Sequence, residues 1–367
     1  MSEIQVQRRG YPLTVGEPAP PFSCRTRAAG RFVFDTVAGR YVILAFLGDG
    51  SSVASQALLR DVWSARHRFD DLHVAFFGVS TNPSDMERPL LQDAFPGIRF
   101  FWDFDRSVSE LYGAIGADGG YRNVIYVLDV GLRVLTVLTD LERGEALLSA
   151  LDMLPPVPAP ALAQTHAPVL IVPRIFEPGL CHALISYYEE RGGMDSGFMR
   201  EVNGRTTGAV DYQHKRRRDR NIDDEKLRHS CMVRIYHRLA PLIQKAFRFR
   251  ATRIERYVVA CYDAQEGGYF RPHRDDTTKG TAHRRFAVSL FLNSGEYEGG
   301  YLRFPEFGNL LYGAPTGGAV VFSCSLLHEA TNVTRGKRYM FLPFLYDEPA
   351  AALRDANKAY VDSDNIT

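Results

Sequence analysis

The sequence predicts two domains of different class, an α/β domain followed by a mainly β domain with flanking helices. Three observations carry this. Residues 155–160 read PPVPAP, and four prolines in six residues exclude both helix and central strand, leaving a semi-rigid linker. Upstream of that seam, apolar runs of strand length alternate with a helical pattern. From Arg253 onward, short β-rich runs are separated by Gly, Pro and Asn, as in a barrel or sandwich. The boundaries are set at 1–154, a Pro/Ala-rich linker 155–168, 169–348, and a C-terminal tail 349–367.

Residues 41–47 (YVILAFL) form a continuous apolar run, as a strand buried on both faces requires. Residues 53–69 place Val53, Ala57, Leu58, Val62, Ala65 and Phe69 near helical spacing. Residues 74–79 and 124–128 are two further apolar strands, and strands separated by helices imply a partly parallel sheet. Past the linker, helices are expected over about 179–191 and 224–247. The polar, Gly-rich stretch 192–224, with the basic run 214–220, reads as a solvated loop; the alternative is a lid whose arginines select an acidic substrate. Gly299–Gly300 and Gly317–Gly318 read as hairpin turns. His229 and His237 read as structural, and the tail as a short helix that then frays.

The formal net charge of +1 argues against a protein whose main task is gripping nucleic acid. The first residues, MSEIQVQRRGYPL, lack the apolar stretch of a secretory signal, and no apolar run reaches the roughly 18 residues of a membrane span. Cys24, Cys181, Cys231, Cys261 and Cys324 are odd in number, scattered, and never in a CxxC pair. A reduced, cytoplasmic protein is expected.

Residues 262–275 (YDAQEGGYFRPHRD) end in an HxD pair. On an extended strand, residues i and i+2 face the same way, so His273 and Asp275 can hold one ion together. His328 is the candidate third ligand, and two imidazoles with one carboxylate leave three positions open on octahedral Fe(II). Ten residues further, Arg338 offers a permanent, forked cation suited to a carboxylate. A single HxD is a weak signal, and a lone buried histidine is more often hydrogen-bonded core than ligand. The combination in order is what carries weight.

These motifs, with 287–293 (AVSLFLN), 297–305 (YEGGYLRFP), 315–322 (PTGGAVVF) and His328 followed by Arg338–Tyr339, resemble the prolyl 4-hydroxylase-type catalytic domain of the Fe(II)/2-oxoglutarate-dependent oxygenases, over about 169–346. The resemblance implies a double-stranded β-helix (jelly-roll), with His273, Asp275 and His328 as iron ligands. It also implies Arg338 at the distal carboxylate of 2-oxoglutarate and Tyr262 as its helper. The implied reaction is hydroxylation of an unactivated C–H bond using oxygen, with release of succinate and carbon dioxide; ascorbate is a further reductant the resemblance admits. A prolyl or other peptidyl side chain is the first expected substrate, and a free amino acid or other small molecule the alternative. Lys337 neighbours Arg338 and is its rival for the pocket, since adjacent strand residues face opposite ways. Leu302 stands where relatives often carry a hydroxyl residue that touches the co-substrate. Two other classes stay open: a zinc hydrolase on the same three ligands, which leaves Arg338 without a task, and a scaffold without turnover.

Residues 12–150 resemble the peroxiredoxin branch of the thioredoxin fold, through 15–22 (VGEPAPPF), the 41–47 strand, 77–80 (FGVS), Asp103–Phe104–Asp105, 111–113 (LYG) and Val127–Leu128–Asp129. The family's nucleophile is a cysteine just after the first central strand. Here 48–55 reads GDGSSVAS, with serine at the cysteine position, and a hydroxyl cannot replace a low-pKa thiolate. Cys24 lies elsewhere, and Arg122 is only an imperfect match to the supporting arginine. A non-catalytic redoxin that docks a protein or forms a homodimer is the role expected.

Overall fold

The computed structural model describes residues 10–139, 144–162 and 165–361. It divides into two compact units, 1–161 and 162–367. The end of the C-terminal tail, where fraying was expected, lies outside the described residues.

The first unit is built on a seven-stranded mixed sheet, ordered Phe32–Val33, Ser23–Thr26, Ile98–Trp102, Val74–Ser80, Tyr41–Gly48, Val124–Leu128 and Val134–Leu138. Tyr41–Gly48 runs parallel to Val74–Ser80, which runs parallel to Ile98–Trp102; the other pairings are antiparallel. Strand alternation divides its apolar run between two cores: Val42, Leu44 and Phe46 on one face, Ile43, Ala45 and Leu47 on the other. Each of the fully buried Val, Leu, Ile and Phe side chains contributes about 1.5–3 kcal/mol relative to exposure. The helix expected over 53–69 ends at Ser64, and a short 3-10 turn, Arg66–Arg68, follows. This is the thioredoxin-like α/β class expected from the sequence. Among the described residues, no helix is long and apolar enough to cross a membrane.

The second unit is a sandwich of antiparallel sheets backed by helices. Its larger sheet has nine strands, with Phe286–Phe291, Lys337–Phe341 and Val258–Asp263 at its centre. The smaller carries Lys215–Arg216, Tyr269–His273, His328–Ala330, Leu302–Arg303 and Leu311–Tyr312. Alternation again separates two cores. Val258, Ala260, Tyr262 and Met340 point into the space between the sheets, with Leu302 and Ala330 from the smaller sheet. Val259, Cys261 and Phe341 point back onto helix Pro178–Arg191 through Cys181 and Leu184, and onto Ile235 and Leu239. Sheet-on-sheet packing of this kind is the jelly-roll class expected.

Three expectations are corrected here. The helix placed over about 224–247 is three pieces: Glu225–Arg234, a π-helical stretch Ile235–Leu239, and Ala240–Phe247. Pro241 has no N–H to return to the carbonyl four residues back, so the regular ladder opens there. The stretch 192–224 is not a loop: it contains Met194–Asp195, the hairpin Phe198–Val202 with Arg205–Ala209, Lys215–Arg216 and Arg218–Asn221. Those strands are short and polar, and backbone pairing, with each other in the hairpin and with sheet strands elsewhere, makes them strands where apolar patterning does not. Gly299–Gly300 is not a hairpin turn, because Glu298–Gly299 pairs with Val333–Arg335 while Leu302–Arg303 pairs within the smaller sheet. Both glycines have positive φ, which lets the chain step from one sheet to the other.

Candidate active site

His273 ends its strand and His328 begins the neighbouring one, and the two are register partners in the smaller sheet. Asp275 lies two residues beyond His273, tied by its backbone N–H to the carbonyl of Cys324 at 2.9 Å. Asp275 Oδ1 is 3.7 Å from His273 Nε2, and Oδ2 is 3.4 Å from His328 Nε2. The candidate ligand atoms of the three residues all lie within 4.8 Å of one another, close enough for one ion.

Each histidine is oriented by the same local device. His273 Nδ1 donates to the carbonyl of Arg271 at 2.7 Å, and His328 Nδ1 to that of Leu326 at 3.0 Å. A carbonyl can only accept, so the proton sits on Nδ1 and the Nε2 lone pair is left for a metal. Burial, then the nearby His328, pushes His273 down to about 3 despite the pull of Asp275, so its imidazole is neutral. Burial disfavours the Asp275 carboxylate, but the positive charge of its surroundings, His328 first and then Arg284 and Arg256, outweighs it and holds the group below its ordinary range.

Arg338 pairs across the sheet with Tyr262 on the inner face. It is 1% exposed, among the largest fully buried side chains. Its guanidinium carbon sits 4.8 Å from the Tyr262 ring centre and 5.3 Å from that of Phe291. Nε is buried without a partner, and among the described residues no carboxylate pairs with it. A buried cation in this state is costly unless an anion meets it. Lys337, on the opposite face, is half exposed and lies 3.5 Å from Glu189. The pocket therefore receives Arg338 and not Lys337.

His273, Asp275, His328, Tyr262, Arg338 and Leu302 all line one cavity of about 580 Å³. Sequence reasoning missed most of its other charged lining. Lys215 and Arg217 turn inward while Arg216 and Arg218 are exposed, an alternation that 214–220 carries openly once the segment is recognised as strand. Lys215 Nζ donates to Ser196 Oγ at 2.7 Å and to the carbonyl of Gly197. Burial and the neighbouring Arg217 push its ammonium well below the ordinary lysine value. Arg217 grips Asp219 through two bonds, Nε at 2.7 Å and Nη2 at 2.5 Å, and donates to the Tyr262 hydroxyl at 3.3 Å. Arg284 pairs with Glu255 at 2.8 Å.

The donor set, two oriented imidazoles and a carboxylate beside a buried, unpaired arginine, fits a ferrous ion with a dicarboxylate co-substrate. Residues 257–346 match the 2OG-Fe(II) oxygenase superfamily. The matched segment includes Tyr262, His273, Asp275, His328 and Arg338, whereas Lys215, Arg217 and Arg256 fall outside it. A PKHD-type hydroxylase from Synechococcus sp. (strain JA-2-3B'a(2-13)) is 32% identical over 96 residues, covering 24% of this chain. The chain spans 42% of that relative's length. A Trichoplax adhaerens prolyl hydroxylase, solved with a peptide fragment of the hypoxia inducible factor oxygen degradation domain, is 17% identical. It covers 50% of this chain and 86% of its own, at a TM-score of 0.40. A Plasmodium yoelii thioredoxin peroxidase I is 17% identical and covers 38% of this chain and 88% of its own, at a TM-score of 0.32.

In the first unit, Ser52 caps helix Val53–Ser64, its side chain accepting from the Ser55 N–H at 3.1 Å. Ser55 is buried and its hydroxyl donates to the carbonyl of Leu47 at 3.1 Å. Both serines have structural partners. Burial and the Asp103 carboxylate push the Cys24 thiol up to about 12, the opposite of an activated nucleophile. Arg122 is exposed and donates to the carbonyl of Gly10 at 3.4 Å.

Proposed function

We propose that the second unit is an Fe(II)- and 2-oxoglutarate-dependent oxygenase that hydroxylates an unactivated C–H bond. The observation that carries this is Arg338, a buried guanidinium without a counter-ion among the described residues, in the same cavity as the oriented His273, Asp275 and His328 set. A zinc hydrolase would leave that cation without a task, and an inactive scaffold would have no reason to keep it.

His273, Asp275 and His328 would hold the iron, Arg338 would meet the distal carboxylate of 2-oxoglutarate, and Tyr262 would flank it. Iron and oxygen would supply the oxidising chemistry, in which 2-oxoglutarate, oxygen and R–H become succinate, carbon dioxide and R–OH. The chain's own part is positioning. The Arg271 and Leu326 carbonyls fix the imidazoles, the Cys324 carbonyl fixes Asp275, and Leu302, Phe322 and Ala330 line the cavity with apolar surface that limits water. With an apolar side chain at Leu302, the co-substrate carboxylate depends on Arg338 and Tyr262. A peptidyl side chain, proline foremost, is the first substrate class, and a free amino acid or other small molecule the second.

Anaerobic addition of Fe(II) and 2-oxoglutarate should give the absorption band of their chelate, and admission of oxygen should release succinate. Both should vanish in His273→Ala. Absence of the band and of succinate from the wild-type protein would refute the proposal.

A further inference from the structure

The cavity's charges do not balance once the proposed metal and co-substrate are in place. Arg217 is matched by Asp219, Arg284 by Glu255, and Arg274 by Glu306. An Fe(II) ion with Asp275, and the 2-oxoglutarate dianion with Arg338, together sum to zero. Arg256 remains. Its Nη2 donates to the carbonyl of Leu342 at 3.3 Å, and its guanidinium carbon lies 4.6 Å from the Phe344 ring centre. Its Nε is shielded from solvent without a hydrogen bond, and among the described residues it forms no ion pair. Lys215, a second cation without a carboxylate partner, lines the same cavity.

Arg256 is also one of six described non-glycine residues with a positive φ. Arg256 has φ +63°, a left-handed conformation that non-glycine residues rarely adopt and that clusters at binding sites. It falls in the break between strands Arg253–Glu255 and Val258–Asp263, where Glu255 is already committed to Arg284 and His283. Arg256 and Asp275 line the same cavity.

We propose that Arg256 is a substrate-selecting residue that holds a carboxylate of the molecule to be hydroxylated, in a subsite separate from the Arg338 pocket. This rests on assigning Arg338 to 2-oxoglutarate. A guanidinium without an ion pair among the described residues calls for an anion, and its planar fork suits a carboxylate. A free acid, a peptide C-terminus or an acidic side chain near the target C–H bond would each provide one.

The test uses the full chain with Zn(II) in place of iron, 2-oxoglutarate at saturation, and trifluoroacetate as the probe, read by fluorine NMR line broadening. Wild type should broaden trifluoroacetate but not neutral trifluoroethanol. Arg256→Gln should cut that broadening at least tenfold, whereas Arg256→Lys, which keeps the cation, should retain it within about threefold. Equal broadening in wild type and Arg256→Gln overturns the proposal, as does no broadening by wild type. Displacement of the probe by inorganic phosphate at far lower concentration than by acetate also overturns the carboxylate. The same comparison in an Arg338→Gln background without 2-oxoglutarate reads the Arg256 site alone. It therefore separates failure of this subsite from failure of the oxygenase assignment.

Discussion

Replacing Arg338 by methionine should make the ligand-free protein more stable while abolishing tight 2-oxoglutarate binding. The side chain is 1% exposed, and its guanidinium has ring faces around it but no carboxylate. Methionine keeps much of the volume and removes a charge whose desolvation nothing offsets, a change worth about 1–3 kcal/mol in favour of the folded state. For a domain of this size that is a rise in Tm of roughly 3–8 °C. The same substitution leaves a bound dicarboxylate without its cation, at a cost of about 3–5 kcal/mol. The dissociation constant should therefore rise by two to three orders of magnitude or more. Lys337→Met is the control, because Lys337 is half exposed and its pairing with Glu189 is worth about 0–1 kcal/mol. Thermal unfolding with and without 2-oxoglutarate, alongside anaerobic titration of the Fe(II) chelate band, measures both effects. A lower Tm in ligand-free Arg338→Met would mean that the arginine is a structural partner. Unchanged 2-oxoglutarate affinity would equally refute the reasoning.

Gly300→Ala should weaken 2-oxoglutarate binding about tenfold while leaving metal binding intact, since a Cβ there would lie 2.7 Å from Arg338 Cδ and 2.7 Å from Val333 Cγ2. Its φ of +64° adds a cost of about 1 kcal/mol for any side chain, and unchanged affinity by titration would contradict it. Asp219 is held down to about 2, because the charges of Arg217 and Lys215 outweigh the penalty of burial. A depressed folded-state pKa gives stability that is present above the unfolded value near 3.8 and lost as pH falls towards 2. Wild type should thus lose about 2 kcal/mol more than Asp219→Asn between pH 4 and pH 2, and parallel acid-unfolding curves would count against it. Ser52→Ala should destabilise the first unit by about 1 kcal/mol in urea unfolding, through loss of the cap on helix Val53–Ser64. No change would show that the serine has no capping role.

The sequence by itself determined the two classes of architecture, because buried strands in one half and short alternating strands in the other write their burial directly into residue order. It also brought out His273, Asp275, His328 and Arg338, since a two-residue spacing and a run of motifs are local information. It could not choose between Arg338 and Lys337: strand neighbours face opposite ways, and only the pairing of Arg338 with Tyr262 across the sheet decides which one turns inward. Nor did it show Lys215 and Arg217 as cavity residues, because the short polar strands that flank them, Lys215–Arg216 and Arg218–Asn221, look like solvated chain until sheet strands pair with them. Arg256 was invisible for the same reason. That it lines the cavity without an ion pair among the described residues emerges only after Asp219, Glu255 and Glu306 have found their partners in three dimensions.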